Sequence, residues 1–165
     1  MILIGLGANL PSAEFGAPPA SLDAALRMLQ QSGVVLVRRS RWYRTAPVPV
    51  SEQPWFVNGV AAIETTLDPA ALLALMQAIE TRFGRIRRER NAARVLDLDL
   101  LDYDGRVSAL GDPPPLLPHP RLAERAFVLR PLAEVVPHWR HPVTGQAIQD
   151  LLPRLPPGQA AEPMG

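Results

Sequence analysis

Four short stretches predict β-strands, and two stretches with helical spacing lie between them. Hydrophobic and polar positions alternate in the second and fourth stretches, the first is apolar and broken by glycines, and the third is aromatic and β-branched. The strands are expected at residues 1–8, 34–43, 55–66 and 95–103. The first helix is expected after the potential N-cap Ser21 and before Gly33, and the second between Asp68-Pro69 and Gly84. This β-α-β-β-α-β order predicts an α+β fold of the ferredoxin-like type, with the helices on one face of the sheet.

The chain beyond the fourth strand predicts a C-terminal helical extension. Short helical patterns at residues 121–135 and 145–152 follow a proline-rich connection at residues 113–118. The chain has 165 residues and is 47% hydrophobic, which suffices for one core and not for two, so we expect a single domain over residues 1–155. Residues 156–165 are rich in Pro, Gly and Ala and predict a disordered tail.

Composition removes several classes of function. Seventeen basic residues against sixteen acidic ones give a net charge of +1, so the total charge does not favour a protein that coats polyanions. All the basic residues are arginine, which excludes lysine Schiff bases and the Walker-type lysine. The absence of cysteine excludes thiol catalysis, disulfides and thiolate zinc sites. With neither a signal peptide at the first residues nor a run of about 18 apolar residues, we expect a cytoplasmic protein without a membrane partner.

The segment Leu96-Asp97-Leu98-Asp99-Leu100 carries the sharpest chemical signal. In a strand, residues i and i+2 project from one face about 7 Å apart, so both carboxylates point the same way while the leucines enter the core. One interpretation is a magnesium site completed by substrate phosphates. The alternative is an ordinary strand with a solvated polar face. Asp102 follows Asp99 at an odd offset, which predicts that it points to the opposite face.

Five arginines directly precede this segment. Arg85, Arg87, Arg88, Arg90 and Arg94 suit phosphate oxygens, since a guanidinium binds them bidentately. The alternative is a solvated cluster favoured by the dipole at a helix C-terminus. A basic loop next to an acidic strand favours a site for a metal-bound nucleotide.

Aromatic and amide side chains flank a long loop at residues 44–54. Trp55, Phe56 and Asn58 suit a pocket for a flat heterocycle, although aromatic residues at a strand start are also typical of the core. His119, fixed between two prolines, has a functional and a structural interpretation.

Six ordered segments together resemble the motifs of the 6-hydroxymethyl-7,8-dihydropterin pyrophosphokinase family. They are residues 6–10, 43–48, 53–60, 84–87, 94–101 and 117–121, the last followed by 125–129. The resemblance covers residues 2 to 152 and implies a transferase of folate biosynthesis. Members pass the pyrophosphoryl unit of ATP, their co-substrate, to the hydroxymethyl group of 6-hydroxymethyl-7,8-dihydropterin and release AMP, using two Mg²⁺ ions.

The resemblance also implies roles for individual residues. Asp97 and Asp99 match the ligands of both ions, and Arg85 and Arg94 join them at catalytic positions. ATP-binding positions are matched by Gln77, Glu80, Arg87, Arg90, Leu100, His119 and Arg125. Pterin-binding positions are matched by Thr45, Pro47, Val48, Phe56, Asn58 and Phe127, with the two phenylalanines on either side of the ring. The proton acceptor for the alcohol stays open between His119, solvent and phosphate.

The chain departs from the family pattern in its arginine loop. Asn91-Ala92-Ala93 stands where many members have Trp-Gly-Pro, so an aromatic lid is missing. An inactive member that serves as a scaffold is therefore one alternative. A nucleic-acid-binding module is another, but residues 34–43 and 95–103 lack the aromatic pattern that such a sheet needs. We expect a monomer that binds small molecules and no nucleic acid.

Overall fold

The computed structural model describes residues 1–84 and 94–165. Within these two ranges, six strands and four α-helices follow one another, with short 3₁₀ turns at Leu122–Glu124 and Leu152–Arg154. In chain order they are β1 (Ile2–Ala8), α1 (Pro18–Gln31), β2 (Val35–Arg39), β3 (Tyr43–Thr45), β4 (Phe56–Glu64), α2 (Pro69–Arg82), β5 (Asp97–Tyr103), α3 (Ala126–Val135), α4 (Ile148–Leu151) and β6 (Ala161–Pro163). No helix among the described residues is long and apolar enough to cross a bilayer.

The strands form one antiparallel sheet in the order β5-β1-β4-β3-β6, and β2 also pairs with β4. This arrangement confirms the predicted α+β, ferredoxin-like class. The register pairs Gly7 of β1 with Asn58 on one side and with Asp97 on the other. An amide from β4 and a carboxylate from β5 therefore flank a position of β1 that has no side chain.

Two hydrophobic clusters cover the two faces of the sheet. On the first face, α1 and α2 pack Leu22, Leu72 and Met76 against the sheet. On the second face, α3 and α4 contribute Leu129 and Ile148, among others. The C-terminal extension is thus the cover of the second face. Its helices are shorter than the patterns at residues 121–135 and 145–152 suggested.

The second helix begins as predicted. The Asp68 side chain accepts a hydrogen bond from the Ala71 N–H at 2.8 Å, and Pro69 occupies the first helical position. The first helix begins earlier than predicted, at Pro18. Ser21 lies inside it, fully buried, with its hydroxyl 3.4 Å from the Gly16 carbonyl.

The single strand predicted at residues 34–43 is two strands, β2 and β3, both paired with β4. Residues 40–42 separate them. The Ser40 N–H donates to the Val60 carbonyl at 2.9 Å, while the Ser40 hydroxyl accepts from the Val60 N–H at 3.0 Å. Trp42 then packs over Gly59, where an added Cβ would lie 2.5 Å from the indole ring. A close approach between tertiary neighbours therefore breaks a strand that the local pattern predicted to be continuous.

The disordered tail expected at residues 156–165 also differs from the structure. Residues 161–163 form β6, which pairs with β3. The segment lacks the alternation of hydrophobic and polar residues that is typical of a strand. It forms a strand because the free edge of β3 supplies its hydrogen-bonding partners. The pairing depends on the sheet and not on the local sequence.

The prediction that Asp102 points away from Asp99 is wrong. The pairing of β1 with β5 shifts register between Leu3 and Ile4, so Leu3 pairs with Asp102 and Ile4 pairs with Leu100. The bulge returns Asp102 to the second face, where it is buried and accepts a hydrogen bond from Trp139 Nε1 at 2.9 Å.

Candidate active site

A cavity of about 320 Å³ opens on the second face of the sheet, beside the start of α3. The strands β1, β4 and β5 form its floor, and the loop after β3 and residues 119–128 form its walls. Its polar and charged lining residues are Gln53, Asn58, Arg94, Asp97, Asp99, His119, Arg121 and Arg125. Cationic and anionic side chains therefore face one space.

Asp97 and Asp99 both line the cavity and are half-buried. Their neighbours on β1 are Gly7 and Gly5, which leave the strand beside the carboxylates without side chains. The Leu98 N–H between them donates to Glu80 Oε2 at 2.9 Å. Since Glu80 is only 3% exposed, this bond fixes β5 to α2 from the opposite face of the sheet. The two carboxylates therefore lie on a strand that is anchored to α2 between them.

This carboxylate pair fits Mg²⁺ bound together with a polyphosphate. Magnesium is typically bound by one or two carboxylates, with substrate phosphates and water completing the octahedron. Residues 1–84 and 94–165 contain no cluster of three or more metal-ligating side chains. Two carboxylates are the number of protein ligands that Mg²⁺ commonly has when substrate phosphates and water complete its coordination.

Asn58 presents an amide to the cavity from β4. Its Oδ1 accepts a hydrogen bond from the Thr45 hydroxyl at 2.5 Å, and its Nδ2 lies 3.4 Å from the Leu6 carbonyl. Both Thr45 and Asn58 are buried, so these bonds fix the amide orientation. An amide offers two donors and one acceptor oxygen, which suits the edge of a polar heterocycle.

Two half-buried aromatic rings line the same cavity. Phe56 comes from the start of β4 and Phe127 from the first turn of α3. The Arg125 guanidinium lies 5.3 Å from the centroid of the Phe127 ring. The rings offer apolar faces to a flat ligand beside the Asn58 amide.

His119 is a neutral imidazole at neutral pH. Burial lowers its pKa to about 4, with Arg125 and Arg121 acting in the same direction and Asp97 opposing them. Nδ1 accepts a hydrogen bond from the Arg121 N–H at 3.2 Å, which places the ring proton on Nε2. Nε2 lies 4.0 Å from Asp99 Oδ1. Because the ring is uncharged, this contact is not an ion pair, and His119 offers one N–H to the cavity.

Asn9 is a buried residue that supports the site, and its residue type and position in the sequence do not indicate that role. Its Nδ2 donates to Gln53 Oε1 and to the Pro54 carbonyl, both at 2.9 Å, and its Oδ1 accepts from the Arg94 N–H at 2.8 Å. It therefore connects the loop after β3 to Arg94, three residues before the carboxylate strand begins at Asp97. The turn Asn9-Leu10-Pro11 was the one local signal, and it predicts a turn without indicating these contacts.

The structure brings together nine of the residues predicted for the site. These cavity-lining residues are Val48, Phe56, Asn58, Arg94, Asp97, Asp99, His119, Arg125 and Phe127. Thr45 lies behind Asn58, and Pro47 lines a neighbouring groove. Gln77 is exposed on α2, and Glu80 and Leu100 are buried outside the cavity lining. Arg85, Arg87 and Arg90, like Arg88 and Asn91-Ala92-Ala93, lie outside the described residues.

Comparison with known proteins identifies the family. The sequence profile of 7,8-dihydro-6-hydroxymethylpterin-pyrophosphokinase matches residues 3–137. The chain belongs to this family. Membership confirms the resemblance seen in the sequence motifs and, with it, the pyrophosphokinase class of enzyme.

Similar proteins of comparable length include two bacterial 2-amino-4-hydroxy-6-hydroxymethyldihydropteridine pyrophosphokinases. The protein of Methylorubrum extorquens is 39% identical over 93% of this chain and 92% of its own length. That of Pseudomonas aeruginosa is 39% identical over 94% of this chain and 91% of its own length. The crystal structure of a triple mutant of Plasmodium falciparum HPPK-DHPS shares the fold, with a TM-score of 0.69 at 15% identity, over 93% of this chain and 44% of that one.

Proposed function

We propose that this protein transfers the pyrophosphoryl group of ATP to the hydroxymethyl group of 6-hydroxymethyl-7,8-dihydropterin and releases AMP, as a step of folate biosynthesis. The observation that carries the proposal is the shared cavity. A carboxylate pair suited to a metal-bound polyphosphate, Asp97 and Asp99, faces the same space as Asn58 and two aromatic rings. In this proposal, the two reactants of the transfer bind side by side in that cavity.

Asp97 and Asp99 would hold two Mg²⁺ ions in this proposal. When bound, the ions neutralise the phosphate charge and polarise the phosphorus under attack. The protein contributes a rigid strand that presents the two carboxylates, anchored through Glu80 and the Leu98 N–H. Preorganised charge and the alignment of the two reactants then supply most of the rate enhancement.

The pterin would bind between Phe56 and Phe127, with Asn58 and the backbone around Thr45, Pro47 and Val48 at its edge. The support is that both rings and the amide line one cavity, and that Thr45 fixes the amide. Stacking excludes water from the ring faces, and the amide selects a heterocycle with donor and acceptor groups on one edge.

The phosphates would be bound by Arg94, Arg125 and the His119 N–H. All three line the cavity near the carboxylate pair. Arg85, Arg87 and Arg90 belong to the same proposed phosphate site. Gln77, Glu80 and Leu100 are proposed to lie near the nucleotide, on the resemblance to the family.

His119 serves the proposed reaction as a hydrogen-bond donor. Its Nδ1 is occupied by the Arg121 N–H, and the proton sits on Nε2. To accept the alcohol proton at Nε2, the ring would have to carry its own proton on Nδ1, and the hydrogen bond from the Arg121 N–H would be lost. The proton of the attacking alcohol is therefore accepted by solvent or by a phosphate oxygen.

We propose a cytoplasmic, monomeric enzyme.

The experiment measures AMP formed from ATP and Mg²⁺ with and without 6-hydroxymethyl-7,8-dihydropterin. The variants are Asp97→Asn and Asp99→Asn, which keep side-chain shape and remove charge. Asp150→Asn, at an exposed aspartate of α4, is the matched control. We expect pterin-dependent AMP in the native chain and the control, and a loss of roughly a hundredfold or more in the two site variants. No pterin-dependent AMP from the native chain would overturn the proposal.

A further inference from the structure

The C-terminal tail, residues 156–164, is hydrogen-bonded to both segments that form walls of the cavity, the start of the loop after β3 and the start of α3. The Ala46 N–H donates to the Ala160 carbonyl at 3.0 Å, and Thr45 of β3 pairs with Ala161 of β6. The tail therefore holds the start of the loop that carries Val48, one wall of the cavity. It lies beyond residue 137, where the match to the family profile ends.

Gln159 in this tail caps the helix that carries the opposite wall. The N-cap residue of α3 is Arg125, whose side chain makes no capping hydrogen bond. The next N–H, that of the buried Ala126, donates to Gln159 Oε1 at 2.9 Å. Gln159 Nε2 in turn donates to the Glu124 carbonyl at 2.8 Å. A residue 33 positions away thus supplies the acceptor that the first turn of a helix requires.

The two bonds of Gln159 fall on either side of Arg125. Ala126, which donates the first bond, lies between Arg125 and Phe127, and both of these side chains line the cavity. Gln159 itself is not among the cavity-lining residues. It lines an adjacent groove of about 410 Å³, which shares Val48, Arg121 and Arg125 with the cavity.

We infer that Gln159 is a positioning residue for substrate binding, acting through Phe127 and Arg125. Its side chain, which both accepts and donates a hydrogen bond, fixes the first turn of α3. The carbonyl of the next residue, Ala160, fixes the loop that begins at Ala46. The spacing between the Phe127 ring and the Val48 wall is thereby set by the tail. This inference rests on the proposed function, because it concerns the binding of the pterin in that cavity.

The test compares Gln159→Leu with Gln159→Glu and Gln149→Leu. Leucine removes both bonds, whereas glutamate keeps the acceptor for the Ala126 N–H. Gln149 is exposed on α4, with its Nε2 at 3.4 Å from the Pro137 carbonyl, and is the matched control. Amide hydrogen exchange at Ala126 reports on the cap. Calorimetric Kd values for 6-hydroxymethyl-7,8-dihydropterin, and KM and kcat for pterin-dependent AMP formation, report on the site.

We expect Gln159→Leu to speed exchange at Ala126 and to raise the pterin Kd and KM about three- to tenfold, the effect of one or two hydrogen bonds. Because the chemistry is untouched, kcat should change less than KM. Gln159→Glu should recover slow exchange at Ala126 and part of the affinity, because its carboxylate accepts from the Ala126 N–H but cannot donate to the Glu124 carbonyl. Gln149→Leu should match the native chain. This pattern also separates a positioning role from a general loss of stability.

Two results would overturn the inference while leaving the proposed function intact. The first is faster exchange at Ala126 with an unchanged pterin Kd. The second is slow exchange in Gln159→Leu, which would show that the cap is dispensable. If the native chain neither binds the pterin nor forms AMP with it, the proposed function fails, and the inference fails with it.

Discussion

The substitution Gly7→Ala tests whether Asn58 needs the space that the missing side chain of Gly7 leaves on β1. Gly7 faces Asn58 across β1 and β4, and a Cβ built on Gly7 would lie 2.4 Å from Asn58 Nδ2. The backbone of Gly7 does not require glycine, since its φ is not positive. The amide would have to move by about 1 Å to reach an ordinary contact distance of 3.4 Å. Such a shift disrupts the hydrogen bond from the Thr45 hydroxyl.

The expected cost follows from the burial of Asn58, which is 7% exposed. Displacing a buried polar group from its partner costs about 1–3 kcal/mol of the free energy of unfolding. The same loss of amide alignment, applied to pterin binding, corresponds to an increase in Kd of about 5- to 150-fold. Urea unfolding followed by tryptophan fluorescence measures the first quantity, and titration calorimetry measures the second.

Two further variants make the test specific to the clash. Gly5→Ala lies on the same strand and face, but its Cβ would lie 3.6 Å from the Leu101 side chain, an ordinary contact. It should be neutral or stabilising by up to about 1 kcal/mol. In an Asn58→Ala background the obstacle is gone, and Gly7→Ala should lose its penalty. An equal penalty in both backgrounds would refute the reasoning.

Three further predictions concern the supports of the site. Asp102→Ala removes the acceptor of Trp139 Nε1 and should lower the free energy of unfolding, measured in urea, by about 1–3 kcal/mol. The Mg²⁺ dependence of ATP binding should not change, and a changed dependence would show that Asp102 is a ligand of the ion. The metal-free chain should lose stability as the pH falls from 6.5 to about 4, because the unfolded state protonates His119 first. His119→Gln should flatten that part of the pH profile, and an unchanged slope would contradict the assignment. Glu80→Ala should speed amide exchange at Leu98, whereas Glu80→Gln, which keeps an acceptor, should not.

Features set by neighbours in the chain could be predicted from the sequence. The start of α2 follows from Asp68 and Pro69, because a capping side chain bonds an N–H only three residues away. The common face of Asp97 and Asp99 follows from the two-residue period of a strand. The motifs containing these residues also identified the family, since they keep their order and spacing along the chain.

Features set by pairing across the sheet could not be predicted in this way. The orientation of Asp102 depends on a register shift against β1, and the break at Ser40 depends on Val60 and on Trp42 packing over Gly59. Asn9 joins residues 44 and 85 positions away, and no local pattern reports contacts at such separations.

The family, the order of the main elements and the carboxylate pair could be predicted from residue order and spacing along the chain. Which side chains share the cavity, and how they are supported, depends on contacts between distant segments. Only in the tertiary structure do Gln159 and the start of α3 meet, since a side chain 33 residues away caps the helix only once the sheet has brought the two segments together.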